Sequence, residues 1–295
     1  MNKKIMYALG VFDGVHLGHQ ALLRACMALA EAAGAASGVV TFSSHPDGVV
    51  LGAAPKLILT PKERRRILEE YGIQNVVELP FDRALMQMPW QAFVQMLQRE
   101  YGAAGFVCGS DFRFGFRGEG TAEVLQTYCR KENIPCAVVP EQTLDGTVLS
   151  STYIRTLLEN GEMARVNRCL GRPYTILGTV VAGRQLGRTL GVPTANICLA
   201  EELICPKLGV YATQAVVNGV VYPAVTNIGS RPTVGGHQVR AESWLLDFDG
   251  DLYGKEMQLR FAAYLRPEEK FPSLEDLVAE IRKDAEKTRK ILGKY

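Results

Sequence analysis

The chain has 295 residues, room for two domains of ordinary size, and its 47% hydrophobic and 22% charged residues are the proportions of a globular protein. A net charge of +2 supplies neither the basic footprint of a nucleic-acid binder nor a polybasic membrane patch, yet suffices for the few cations that a nucleotide site needs. The seven cysteines are odd in number and scattered without a CxxC pair, so free thiols in a reducing cytoplasm are expected, with no disulfide framework and no structural metal.

The opening stretch MNKKIMYALGVFDG is too short in apolar residues for a signal peptide and has no small-residue cleavage site. No run approaches the ~20 apolar residues of a membrane span. KIMYALG reads as a strand and HQALLRACMALAEAAG as a helix ending at Gly34. There follow GVVTF, the helix PKERRRILEEYG with Pro61 at its start, NVVELPF, and a single predicted helix over RALMQMPWQAFVQMLQREYG. GFVCGS, the helix TAEVLQTYCRKEN and PCAVVPE repeat the pattern. Strands interleaved with helices predict an α/β domain, a Rossmann-like parallel sheet covered on both faces. After Gly171 the texture turns β-rich, with YTILGTVVAG, GVYATQAVV, VVYPAVTNI, AESWLLDF and MQLRFAAYL. Asn218-Gly219 is a strong hairpin signal, since both residues tolerate positive φ, and Asp249-Gly250-Asp251 marks a second turn. Successive strands without helices predict an antiparallel sheet or small barrel. The amphipathic segment after Ser273, a candidate N-cap, closes the chain. The boundary is expected near residues 160–172, giving domains 1–165 and 170–295.

In the first half the strongest local signal is GVFDGVHLGHQALL. Gly14 and Gly18 permit a close backbone turn, and His19 lies near a helix N-terminus, where free amides and the dipole attract phosphate. His16 and His19 are three apart and suited to donate to phosphoryl oxygens. Taken alone, H-x-x-H is more often a metal pair or two structural histidines; the flanking glycines and the strand-to-helix setting reverse that preference in favour of phosphate. SSHPDG with His45, GSDFRFG with Asp111, and LSSTYIR follow other strands, and ligands bind beyond the carboxyl ends of strands in an open parallel sheet. Ser150-Ser151-Thr152 also fits simple helix capping. No Walker motif and no G-x-G-x-x-G is present.

In order, GVFDGVHLGH, the His-Pro of SSHPDG, GSDFRFG and LSSTYIR resemble the adenylyltransferase module of the bacterial bifunctional riboflavin kinase/FAD synthetases, of the HxGH nucleotidyltransferase superfamily, over roughly residues 5–160. The resemblance implies that the FMN phosphate attacks the α-phosphorus of ATP and pyrophosphate leaves, without a covalent intermediate. It implies ATP binding by Gly10, Phe12, Asp13, Gly14, His16, Gly18 and His19. Ser151, Thr152 and Arg155 would hold the outer phosphates, with His45 and Asp111 near nucleotide or flavin. Many members have Asn where Val11 stands and Pro where Ser44 stands, departures that bear on flavin contacts and leave the reaction type alone.

In the second half GTVVAGRQLGRTLGVPTANI places glycines where a backbone can wrap phosphate, or where a small barrel turns. Thr194 and Asn196 offer hard oxygen ligands suited to Mg²⁺, though such oxygens are common in turns. Glu242 is an odd carboxylate at the start of an apolar strand, unless it has a role or is merely exposed there. LGRPY, GRTLGVPTAN, NIGSRPT, the Glu242 strand, DLYG and LRPEEKF together resemble riboflavin kinase domains over roughly 170–292. The resemblance implies a six-stranded antiparallel barrel with a C-terminal helix, and ATP binding by Gly178, Gly183, Gly187, Arg188, Thr194 and Asn196. Thr194 and Asn196 would hold Mg²⁺ with ATP, Glu242 would be the general base for the riboflavin 5′-hydroxyl, and Arg266 would lie near the flavin. Relatives often carry His where Trp244 stands. The implied function is riboflavin to FMN to FAD. The alternatives are retention of one activity only, or a flavin-sensing regulator without turnover.

Overall fold

The computed structural model describes residues 4–183, 191–233 and 236–293, with the side chains of 231–237 left aside. The chain divides into two compact units, Met1–Ser151 and Thr152–Tyr295. Among the described residues no helix is long and apolar enough to cross a membrane.

The first unit is built on five parallel strands: β1 (Ile5–Leu9), β2 (Ala36–Phe42), β3 (Asn75–Leu79), β4 (Ala103–Gly109) and β5 (Cys136–Val139), in the order β3-β2-β1-β4-β5. The order reverses between β1 and β4, so a crevice opens beyond their carboxyl ends. β1 is buried along its whole length, as a central strand covered on both faces must be. The helices are α1 (Leu17–Ala32), α2 (Pro61–Glu70), α3 (Trp90–Tyr101) and α4 (Ala122–Lys131). Thr60 and Glu63 cap α2 reciprocally and Thr121 caps α4. The single helix predicted over residues 83–101 is broken: a short turn Arg83–Gln87 stops at Met88, and α3 begins after Pro89. Pro89 excludes its predecessor from the helical region, and Met88 accordingly sits at φ −68°, ψ 128°.

The second unit opens with α5 (Ser151–Asn160) and α6 (Met163–Leu170) and continues into β6 (Tyr174–Val181), β7 (Ala195–Cys198), β8 (Gly209–Val217), β9 (Val220–Thr233), β10 (Gly236–Leu245) and β11 (Glu256–Arg266). These six strands close a barrel in the order β6-β7-β10-β9-β8-β11, and α7 (Leu274–Leu292) follows, capped by Ser273. Asn218 and Gly219 join β8 to β9 with φ of 50° and 80°, the two positive values that the hairpin signal requires. Inside the barrel Thr213, Thr226 and Ser243 form a chain of hydroxyl bonds of 2.7 and 2.8 Å, so three fully buried polar groups satisfy one another. α6 is tied to the barrel by Asn167, whose amide donates to Phe261 O and accepts from Tyr174 N, both at 2.8 Å. The compact units part at 151/152, so the helix after Ser151, which the alternating pattern of strands and helices grouped with the first half, lies in the second unit from Thr152 on.

Candidate functional site

In the first unit a cleft of about 840 Å³ lies beyond the ends of β1, β2, β4 and β5. Gly10, His16, Gly18, His19, His45, Asp111 and Ser151 all line it, so motifs spread over 140 residues of sequence converge. The His16 ring caps α1: its Nδ1 accepts the His19 N–H at 3.4 Å, and the two imidazoles stack with centroids 3.8 Å apart. An imidazole nitrogen that accepts carries no proton, so the ring proton sits on Nε2. Gly18 makes this possible, because a Cβ there would come within 3.0 Å of the His16 ring. His45 Nδ1 accepts from Asp47 N at 3.2 Å, turning the SSHPDG segment back on itself. Asp111 folds over Gly109 at the end of β4.

Three residues expected at the nucleotide sit elsewhere. Asp13 is 1% exposed, and its carboxylate accepts from the backbone amides of Ile58 at 3.0 and 3.1 Å and of Leu59 at 3.2 Å. Phe12 is fully buried under His19, and Gly14, at φ +83°, packs on Ile58. The Asp13 and Phe12 side chains and the positive φ of Gly14 shape the turn that presents His16. Ser151, the last residue of the first unit, donates its Oγ–H to the Asp13 carbonyl of that same turn at 2.9 Å. Thr152 is exposed and Arg155 half-buried, both on α5 in the second unit.

Sequence reasoning missed Arg64. Its guanidinium is buried and donates to Val11 O at 3.3 Å and to Phe42 O, while pairing with Glu78 at 3.5 Å. Burial pulls it below the usual arginine range, opposed by Glu78 and Asp13 nearby. The signal was present as an arginine on the apolar side of α2. Also unassigned from sequence were Arg113 and Arg117, which bring cations to the cleft wall, and the aromatic cluster of Phe42, Phe81, Phe112, Phe114 and Phe116, which gives it an apolar side.

In the second unit the candidates fall on one register row. Asn196 of β7 pairs with Glu242 of β10, Glu242 pairs with Asn227 of β9, and Val181 at the end of β6 pairs with Asn196. Their neighbours Ile197, Ala241, Ser243, Thr226 and Ile228 are fully buried inside the barrel. By alternation the row faces outward. Glu242 thus lies mid-strand, since β10 begins at Gly236 and not just before Glu242. Asn196 is 5% exposed, its Nδ2 donates to Thr194 O at 3.4 Å, and Gly183 lies against its amide. Gly178, expected in a phosphate loop, is instead mid-strand in β6, where a Cβ would strike Ile197. Gly187 and Arg188 fall outside the described residues. Arg266 ends β11 and is bound to the fully buried Asp284 of α7 at 2.8 Å, with Phe271 over its guanidinium. Trp244 packs on the patch that α7 covers, beside Val210, Val225, Leu246 and Ala285.

The FAD synthetase family profile matches residues 1–153 and the riboflavin kinase profile residues 170–292. The bifunctional riboflavin kinase/FMN adenylyltransferase of Listeria monocytogenes is 37% identical over 295 residues, covering 99% of this chain and 93% of its own. Those of Bacillus subtilis and Escherichia coli K12 are 36% and 35% identical, over 95% and 97% of this chain and 90% and 92% of theirs. The chain belongs to the bifunctional riboflavin kinase/FMN adenylyltransferase family.

A solved structure described as a macrolide-efflux protein of Streptococcus pneumoniae shares the fold of this family member, with a TM-score of 0.90 and 31% identity over 98% of this chain and 95% of that one. The cleft lies inside the FAD synthetase match and the Asn196–Glu242–Asn227 row inside the riboflavin kinase match. Most of α5 and all of α6 but its last residue fall between the two matches.

Proposed function

We propose that this chain phosphorylates riboflavin to FMN and then adenylylates FMN to FAD with release of pyrophosphate. Residues 170–295 carry the first reaction and 1–165 the second. The observation that carries the reading is that each unit has its own polar constellation, the stacked His16–His19 pair at the cleft and the Asn196–Glu242 pair on the barrel.

In the kinase half Glu242 accepts the proton of the riboflavin 5′-hydroxyl as that oxygen attacks the γ-phosphorus of ATP, the bond to the β,γ-bridging oxygen breaks and ADP leaves. Thr194 and Asn196 fit a Mg²⁺ ion travelling with ATP. Both present hard oxygens, and the Asn196 Nδ2 bond to Thr194 O turns its Oδ1 to the ligand role. Held there, such an ion would supply charge neutralisation to the phosphates, while Glu242 on the next strand orients the alcohol.

In the adenylyltransferase half the FMN phosphate attacks the α-phosphorus in line. The enzyme contributes position and charge. His16 offers Nε2–H to a phosphoryl oxygen, because its other nitrogen is occupied by the His19 amide. His19, held beneath it by stacking, acts beside it, with Ser151 on the same cleft toward the outer phosphates. The apolar wall of Phe112, Phe114 and Phe116 suits a flat heteroaromatic ring, with His45 and Asp111 near its edge.

The test uses ATP labelled in one phosphate at a time. With γ-labelled ATP both FMN and FAD acquire label; with α-labelled ATP only FAD does. Unlabelled FAD from α-labelled ATP, or no flavin product at all, would rule out the reading.

A further inference from the structure

We infer that Asn227 is a further substrate-binding residue of the kinase site, one that accepts a hydrogen bond through Oδ1 from a secondary hydroxyl of the riboflavin polyol chain. This rests on the reading of Glu242 as the base for the terminal hydroxyl. Asn227 pairs directly with Glu242, so the two side chains leave the same outward face with Cβ atoms about 4.5–5.5 Å apart. Asn196 occupies the same row on the other side of Glu242. The carboxylate is flanked by two amides in one line across three strands.

The orientation of the Asn227 amide is fixed chemically. Its Nδ2 donates to Glu268 Oε1 at 2.9 Å, and a carboxylate can only accept. Glu268 reaches it by crossing Gly229, where a Cβ would stand 2.8 Å from the same Oε1. The glycine two residues after Asn227 on the same face therefore leaves the space that the clamp uses. With Nδ2 held, Oδ1 is set as an acceptor, and it is buried with no hydrogen-bond partner among the described residues. A buried acceptor left unmade is costly, and native structures rarely carry one without a reason. A donor supplied by the substrate provides that reason. The face beside Glu242 receives a polyol, whose terminal hydroxyl goes to the carboxylate and whose secondary hydroxyls are the donors within reach of the next strand.

The test is steady-state FMN formation by the full chain carrying Asn227→Ala, with riboflavin and with three analogues lacking the 2′-, 3′- or 4′-hydroxyl. Asn227→Ala should raise KM for riboflavin about five- to a hundredfold, the range for a lost hydrogen bond to a buried acceptor, with KM for ATP unchanged. One deoxy analogue should already be poorer with the parent and be insensitive to the substitution. Glu268→Gln, which keeps an acceptor for Nδ2, should stay near parent, while Glu268→Ala should raise riboflavin KM without touching the row itself. Equal effects of Asn227→Ala on riboflavin and all three analogues, or a parent KM for riboflavin, would overturn the inference. The underlying reading fails separately, through a Glu242→Gln protein with parental kcat.

Discussion

Asp13 lies in the motif that resembles a nucleotide site, yet its carboxylate is spent on the chain itself. Asp13→Ala removes the acceptor for two amides, Ile58 N and Leu59 N, on residues that are 0% and 1% exposed. Each orphaned amide costs about 1–3 kcal/mol, so the first unit should lose about 2–6 kcal/mol. Against a typical stability of about 5–15 kcal/mol that is a large fraction. For a unit of this size the midpoint should fall by about 4–24 °C. The two tryptophans, Trp90 and Trp244, stand one in each unit, so a Trp244→Phe background leaves Trp90 to report the first alone. Thermal unfolding followed by Trp90 fluorescence, with FAD synthesis from FMN measured below the new midpoint, is the assay. The expected result is a lowered midpoint with KM for ATP near parental. An unchanged midpoint with a KM for ATP raised tenfold or more would mean that Asp13 meets the nucleotide and that the structural reasoning is wrong.

A fragment of residues 152–295 should fold and make FMN, whereas one beginning at 172 should be markedly less stable, because it loses Asn167, whose amide bridges Phe261 and Tyr174; equal melting midpoints would contradict this. Burial pushes the Cys108 thiol up to about 12 and raises Cys26 as well, so at pH 8 both should resist iodoacetamide in the native protein and react in urea. Rapid native labelling of either, read by peptide mass spectrometry, would refute that. Arg64→Leu should lower FAD synthesis and the stability of the first unit together, leaving FMN synthesis intact, since the Phe42 carbonyl loses its donor while Val11 O keeps Thr41 Oγ1 at 2.8 Å.

The element sequence was legible because the periodicities of the two halves differ, and the Asn218-Gly219 hairpin, the helix start at Pro61 and the Ser273 cap were each marked by local chemistry. The break at Pro89 was also written in the sequence, but the apolar pattern on either side runs through it and hides it. The convergence of His16, His45, Asp111 and Ser151 followed from strand ends in a parallel sheet. What each side chain does there could not be read the same way. Asp13 and Phe12 belong to the motif as much as His16 does, and only the partners of each side chain separate those that build the turn from those that line the cleft. Asn227 and Arg64 were missed for a related reason. Their significance lies in register and in long-range hydrogen bonds, to Glu242 and Glu268 in one case and to Val11 and Phe42 in the other, and neither leaves a short-range pattern.

The central claim is two separable reactions in one chain, and paired variants given either riboflavin or FMN with ATP and Mg²⁺ test it most directly. Glu242→Gln should make FMN about a hundred- to ten-thousandfold more slowly, yet convert supplied FMN to FAD at the parent rate. His16→Ala and His19→Ala should make FMN normally and lose about a hundred- to thousandfold in FAD formation. Chromatography of the flavins would then show two complementary failures. Loss of FAD formation from supplied FMN in Glu242→Gln, loss of FMN formation in His16→Ala or His19→Ala, or parental yields in both classes, would contradict the account.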